Sequence, residues 1–523
     1  MRSIFIVLLL LLGSIANSQN NFTACGNQSG SWDYDTVFVS CDVLIPNGQQ
    51  LLIEANTTVF FEGHYSIQVA GNVKATGTAE NPILFTVADT AGFSDYHSTD
   101  GGWDGFHFEY TSAENDSSIF EHCRFYYGKA AGDSINGYGG ALRVDNFSKI
   151  RLENCEFHHN YAFYRGGAVY GNKSHFLINN CLFDNNFAGN DGMDYGYGGG
   201  VAFRASLPDI VETTFLDNAS TGIGGGASFE FCDPRLLNCE FRANHSGLGG
   251  AIGFLRAEPN RQIANLLIHE NSSMFFGGGI ACIEASPKMT NLTIVGNSSA
   301  MGGGYYCNEK ANPVLANSII WNNVAADSLG SQVWVWDVFS KPEFHYCNIQ
   351  GGLDWFGGST FIGVYENNLN EDPSLQNGWK IDVNSVCFNA GTPDTTGFNL
   401  PEIDFFGVPR IAHGRIDMGV MEVLSVGLSP SVESDYKLIV FPNPLRPESV
   451  VSIELPEAAI LHLTIYDLNG NVLWKQNYPE FAAGKHQLSL KGFLQSQSVN
   501  NRTLMLKIDF NSHKTSQVIK MQY

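Results

Sequence analysis

The chain runs to 523 residues with 29 basic and 52 acidic side chains, a formal net charge of −23. A field of that sign opposes nucleic acid and anionic membrane as partners and suits calcium or neutral glycans, although solvated surface charge needs no partner at all. The length would ordinarily be divided among three or four domains, unless the chain is a solenoid, which grows linearly and buries a large core as one domain.

Residues 1–18 read as a secretory signal: Arg2, an apolar run from Ile4 to Leu12, then Ala16 and Ser18 at small-residue positions before a cut preceding Gln19. That run is too short to span a bilayer, and no later stretch reaches about 18 apolar residues. The expectation is a soluble, exported mature chain with no transmembrane segment and a net charge of 28 − 52 = −24. Cys25 and Cys41 are the candidates for a disulfide in an oxidising compartment. Residues 19 to about 120 alternate β-branched and polar residues between turn signals, and read as a cap and first coils, because an uncovered solenoid end would expose a strand edge.

A seven-residue frame then recurs: "NCEFHHN" at Asn154–Asn160, "NCLFDNN" at Asn180–Asn186, "NCEFRAN" at Asn238–Asn244, "NLLIHEN" at Asn265–Asn271, "NLTIVGN" at Asn291–Asn297 and "NSIIWNN" at Asn317–Asn323. Its apolar anchors are Phe125, Phe157, Phe183, Phe215, Phe241, Ile268, Ile294 and Ile320, in steps of 32, 26, 32, 26, 27, 26 and 26 residues. Glycine runs ending at Gly140, Gly167, Gly200, Gly226, Gly250, Gly279 and Gly304 keep the same phase, each followed by a short alternation such as "AVYG". Period-two alternation, Gly and Asn punctuation and a repeat in the twenties indicate stacked strands. Leucine-rich repeats would need leucines at set spacing and a helical segment, and neither is visible. The chain therefore reads as a parallel β-helix with coils of about 26 residues stacked roughly 4.8 Å apart, in which the corner asparagines tolerate left-handed backbone and pair their amides between turns.

That geometry answers the metal reading that Cys155, Glu156, His158 and His159 invite. Neighbouring strand residues face opposite ways, so Cys155 points inward with Phe157, His158 points out and His159 lies at the corner; no metal is assigned. No helix pattern follows the glycine runs, so they are not phosphate cradles. Of the eleven cysteines, Cys123, Cys155, Cys181 and Cys239 belong to the interior stack, with Cys282 and Cys307 in a second column. Free thiols are expected there, because residues stacked about 4.8 Å apart exceed the roughly 3.8 Å Cβ separation of a disulfide. The twelve N-x-S/T sequons, which could suggest a glycoprotein, include four corner asparagines that the repeat already explains: Asn218, Asn244, Asn271 and Asn297.

Candidate ligand-binding residues come from departures from the repeat. The two 32-residue steps insert "YYGKAAGDSINGYGG" (Tyr126–Gly140) and "NNFAGNDGMDYGYGGG" (Asn185–Gly200) at one corner, two turns apart. They carry Asp133, Tyr138, Asp191, Asp194, Tyr195 and Tyr197. Tyrosine stacks on sugar rings, and carboxylates bind hydroxyls or calcium. The earlier loop "DTAGFSDYHSTDGGWDG" (Asp89–Gly105) has similar composition. Arg143, Arg165 and Arg204 lie near the glycine corners and could supply a base, but no linear spacing of Asp, Glu and Arg shows them converging.

From about Asn323 to Val423 the repeat degrades. "EDPSL", "NSVCFNAGTPD" and "IDFFGVPRIAHGRIDMGVME" resemble the closing part of bacterial choice-of-anchor β-helix proteins, and the glycine and asparagine repeat resembles polymorphic outer-membrane repeats. The resemblance implies a right-handed, pectate-lyase-like solenoid over residues 19–424, with Asp404, Arg410, Asp417 and Gly419 in the end of the fold rather than in an active site. A polar linker, 425–435, precedes residues 436–523, whose short alternating strands and Asn469–Gly470 hairpin signal predict a small β-sandwich. There "FPNP" (Phe441–Pro444), "LTIYDLNGNVLW" (Leu463–Trp474), "GKHQLSL" (Gly484–Leu490) and the terminal "VIKMQY" resemble the C-terminal sorting domain of the type IX secretion system of Bacteroidetes. A longer "GFLQSQSVNNRTLMLKID" stands where the family has a compact G-x-Y. The resemblance implies the type IX machinery as partner and a location at the cell surface or outside the cell. The leading functional expectation is a non-catalytic β-helix that binds or adheres to an extracellular polysaccharide or cell-surface glycan. The alternative is a calcium-dependent polysaccharide lyase or glycosidase, with Ca2+ as the one cofactor considered.

Overall fold

The computed structural model describes residues 20–132, 134–190, 196–326, 330–394, 396–411 and 414–423, then 437–441, 449–455, 458–466, 472–496, 503–510 and 515–522. The signal segment, the linker and the Asn469–Gly470 turn lie outside the described residues. The chain divides into two compact units, Met1–Leu424 and Ser425–Tyr523.

The first unit is a right-handed parallel β-helix. One coil shows the plan. A back strand, Ile150–Glu153, turns into an anchor strand, Glu156–His158; a two-residue corner strand, Tyr161–Ala162, and a glycine turn lead to a third strand, Val169–Asn172. Each strand pairs in parallel with its counterpart one coil on, so Phe125, Phe157, Phe183, Phe215 and Phe241 fall in register. Their rings stack at 4.6, 4.7, 5.0 and 4.6 Å between centroids, nearly coplanar, and all are fully buried. Burying each contributes about 1.5–3 kcal/mol. Ile268, Ile294, Ile320 and Ile349 continue the column.

The two asparagines of the frame divide the work between them. The first (Asn154, Asn180, Asn238, Asn265, Asn291, Asn317) holds the left-handed backbone, with φ from 50 to 57°. The second is a buried ladder. Asn218 Nδ2 donates to Asn244 Oδ1 at 3.0 Å, Asn244 to Asn271 at 2.9 Å and Asn271 to Asn297 at 2.9 Å, while each amide also donates to an anchor carbonyl such as Phe183 O, at 2.8 Å from Asn218. At this corner the left-handed residue is the one before the asparagine, for example His159 at φ 52°. At the other corner Gly166 has φ 64°, and a Cβ on Gly167 would collide with the Gly199 carbonyl of the next coil. Cys25 and Cys41 form a disulfide, and the remaining nine cysteines are free and buried.

The sequence suggests degenerate closing coils to Leu424. Stacked strands continue to Val364–Glu366, and residues 367–423 then run back along the outside of the last coils as a strap. Ile381, Cys387, Met418 and Val423 cover the outward faces of Val295, Ile319 and Trp321. Arg410, 2% exposed, donates to Gly419 O and Val420 O at 3.0 Å each, pairs with Glu422 at 3.3 Å and bonds Asn265 Oδ1. Asn291 donates to Asp417 O and Gly419 O. One guanidinium faces the Asp404, Asp417 and Glu422 carboxyls; burial pushes Glu422 up to about 8 against the pull of Arg410.

The second unit packs a three-stranded antiparallel sheet (Lys437–Phe441, Val450–Leu455, Gly484–Ser489) against a four-stranded one (Ala459–Tyr466, Val472–Phe481, Thr503–Phe510, Thr515–Gln522). Val451, Ile453, Leu461, Leu463, Leu506 and Ile508 share its core.

Candidate functional site

Of the ligand-binding residues expected from the sequence, Tyr138 and Tyr197 are described; Asp133, Asp191, Asp194 and Tyr195 lie outside the described residues. Tyr138, Arg165 and Tyr197 are successive rungs of one outer column. The Arg165 guanidinium lies 4.1 Å over the Tyr197 ring and reaches Glu230, two coils further on, at 2.9 Å. Arg204 and Arg256 approach the same carboxylate at 3.3 and 3.6 Å. Glu230 is only 7% exposed, so the tyrosine column is packed around an ion-paired arginine cluster. His158 of the "NCEFHHN" stretch points outward between Glu156 and Asp184, at 3.1 Å from each, and stacks on Tyr126. Among the described residues no three His, Cys, Asp or Glu side chains converge on a metal position.

Two clefts instead flank the earlier loop, residues 89–102. Lys129, wholly buried, drives its ammonium into that loop and donates to Gly92 O, Asp95 O and Asp100 O at 2.9, 3.0 and 2.8 Å. Buried ammonium needs such a cage, because desolvation of an unpaired charge costs several kcal/mol. Fixed in this way, the loop walls two cavities. One, about 230 Å³, is aromatic: Phe93, Tyr96, Tyr127, Tyr161 and Phe187 line it together with polar His159 and Asn185. Tyr96 stacks on Tyr161 at 5.0 Å and Tyr127 on His159 at 5.8 Å. Aromatic walls with a few polar groups among them suit a small polyhydroxylated ring. The other, about 590 Å³, is polar, with Glu62, His64, Asp89, Thr99 and Asp100 on its walls.

Behind His64 stands a cluster that linear spacing does not reveal. Successive coils bring Gln68, His107 and Arg143 into register on the outer face, and Asp104 lies 3.7 Å from His107 Nε2 and 4.0 Å from His64 Nε2. Arg143 pairs with Glu109 and faces His107 Nδ1 at 3.5 Å. A guanidinium only donates, so Nδ1 accepts and the His107 proton sits on Nε2, a buried atom with no hydrogen-bond partner that is aimed at Asp104. Burial holds His107 neutral, down at about 3, and Arg143 adds to this. Burial pushes Asp104 up to about 7 against the pull of Arg143, with the Asp42 and Glu109 carboxyls raising it further. His64 is also lowered by burial, and its Nε2 donates to Lys129 O at 2.8 Å. The result is a carboxyl poised near neutrality between two neutral imidazoles.

Residues 83–255 match the family model of the right handed beta helix region. This right handed beta helix segment contains the Asp89–Gly105 loop, Lys129 and Arg143. No curated protein matches the chain. Among solved structures, similarity is found to a tailspike protein of the Acinetobacter baumannii bacteriophage Fri1, a capsular polysaccharide depolymerase, at 8% identity and TM-score 0.25 over 94% of this chain and 80% of that one. The enzymatically active domain of tailspike protein 4 of bacteriophage CBA120 is similar at 9% identity and TM-score 0.19, over 93% and 64%. Likenesses this weak transfer nothing to the chain.

Proposed function

We propose that this protein is an exported β-helix that binds an extracellular glycan at the clefts flanking residues 89–102. The observation that carries the reading is the aromatic cavity of Phe93, Tyr96, Tyr127, Tyr161 and Phe187, with polar His159 and Asn185 among its lining. Export rests on the signal-like residues 1–18, and passage through type IX secretion on the motif order of residues 436–523, which accords with a small antiparallel sandwich. Both support a location at the cell surface or beyond it. Taking a sugar face on one ring as comparable to an aromatic pair, worth roughly 0.5–1.5 kcal/mol beyond its buried area, Tyr127→Ala and Tyr96→Ala should each weaken retention of the bound glycan by about tenfold on a glycan array or in affinity electrophoresis. Retention unchanged in both variants would sink the assignment of this cavity. A variant replacing Asp133, Asp191 and Asp194 by Ala tests the two inserted loops in the same assay.

A further inference from the structure

We propose that the outer groove over the first asparagines of the frame, on the coils that precede the strap, is a docking site for an extended peptide of a partner protein. The groove has a volume of about 530 Å³, and Arg124, Asn154, Glu156, Asn180, Glu212 and Arg242 are among its lining. None of them borders the two clefts beside residues 89–102, so this is a second site, independent of the glycan reading.

What covers the same positions further along the molecule points to the ligand. The third residue of the frame forms one column in unbroken register from Arg124 to Ile319. Its last coils lie under the strap, which is held there largely through its main chain. Asn265 and Asn291 donate to Ile403 O and Gly419 O, Asn317 Oδ1 accepts from Thr392 N at 2.7 Å, and Thr293 Oγ1 accepts from Val420 N at 3.1 Å. Main-chain bonds of this kind give affinity for a peptide backbone, and side-chain sites then set the sequence.

The groove repeats the arrangement. Asn265 donates one amide hydrogen to Asn238 Oδ1 at 2.7 Å and the other to Ile403 O at 2.9 Å. Asn180 donates one to Asn154 Oδ1 at 2.6 Å in the same way, but Asn180 is exposed, and its other amide hydrogen has no acceptor among the described residues. Thr214 stands in the groove where Thr293 stands under the strap. Two charges add a side-chain preference. Glu212 is exposed, Arg242 has a buried Nε with no hydrogen-bond partner, and neither forms a salt bridge among the described residues. A basic side chain opposite Glu212 and an acidic one opposite Arg242 complement them. No tyrosine, tryptophan or phenylalanine lines the groove, so it offers a sugar no such ring to stack on.

The test pans a phage-displayed library of random peptides against the immobilised full chain, then measures the affinity of the enriched sequence, as a labelled synthetic peptide, by fluorescence anisotropy. The expected result is enrichment of sequences with a basic and an acidic residue at a fixed separation. Asn180→Asp keeps the shape of the side chain and removes its donor, and should weaken binding about tenfold. Glu212→Lys should weaken it by about the same factor, and a peptide with glutamate in place of its basic residue should restore the affinity of that variant, a rescue that a misfolded protein cannot give. Enrichment of no sequence, or binding unchanged by both substitutions, overturns the proposal. Displacement of the peptide by a neutral polysaccharide also overturns it, in favour of a glycan groove.

Discussion

At the scale of single residues, the informative positions are those where a polar group is buried with a specified partner. The Asn218, Asn244, Asn271 and Asn297 side chains are fully buried and satisfied along the ladder, which explains structurally why the sequons there are repeat positions. Asp104 is the opposite case, a carboxyl kept near a neutral pKa by its surroundings. Its folded pKa, about 7, stands above its ordinary 3.8, so the folded state favours the protonated form. Below about pH 4 the group costs nothing; the penalty grows as pH rises from there to about 7 and is constant above. Asn never ionises, so Asp104→Asn should stabilise the fold relative to wild type by up to about 4 kcal/mol at pH 8 and by little near pH 4. Denaturant titrations at the two pH values check this; an equal effect at both would show that Asp104 is not held protonated.

At the scale of elements, the loop 89–102 is organised by a residue from a different strand. Lys129 lies in the corner strand Lys129–Ala130 and supplies three bonds to loop carbonyls. Lys129→Met keeps most of the side-chain length but removes the donors, leaving carbonyls whose bonds to a charged group are worth about 1.5–3 kcal/mol each. Hydrogen exchange and limited proteolysis should then concentrate in residues 89–102 while the coils from Ile150 onward stay protected, and glycan retention should fall with loop order. Protection of the loop equal to wild type would contradict the anchoring role. The strap is a second example: its Arg410 and Asp417 have local neighbours that give no hint of burial, yet they are fixed by Asn265 and Asn291, more than a hundred residues earlier.

At the scale of the whole molecule, each unit has its own apolar core, one running from Ala24 to Ile349 and the other from Val451 to Ile508. A chain ending at Val423 should therefore keep the β-sheet circular dichroism of the helix and unfold within a few degrees of the corresponding transition in the full chain. Loss of that transition on truncation would show that the solenoid depends on the second unit.

The stacked coils, the inward anchors and the buried free cysteines were legible in the sequence because a solenoid repeats one local demand. Each coil needs an apolar residue at the same phase and residues able to turn at the same corners, so periodicity along the chain maps directly onto register in space. The roles of the two asparagines were not separable, since left-handed backbone and amide pairing both favour the same residue type. The candidate site was less legible still. Tyr138 and Tyr197 could be placed on one column by counting, but Arg165 filling the space between them and Glu230 drawing Arg165, Arg204 and Arg256 together are side-chain facts of four successive coils. Asp104 and His107 share one coil, but His64 and Arg143 come from the coils on either side and obey no repeat, so only the stacking of those coils decided that they meet, and only burial decided which of them holds a proton.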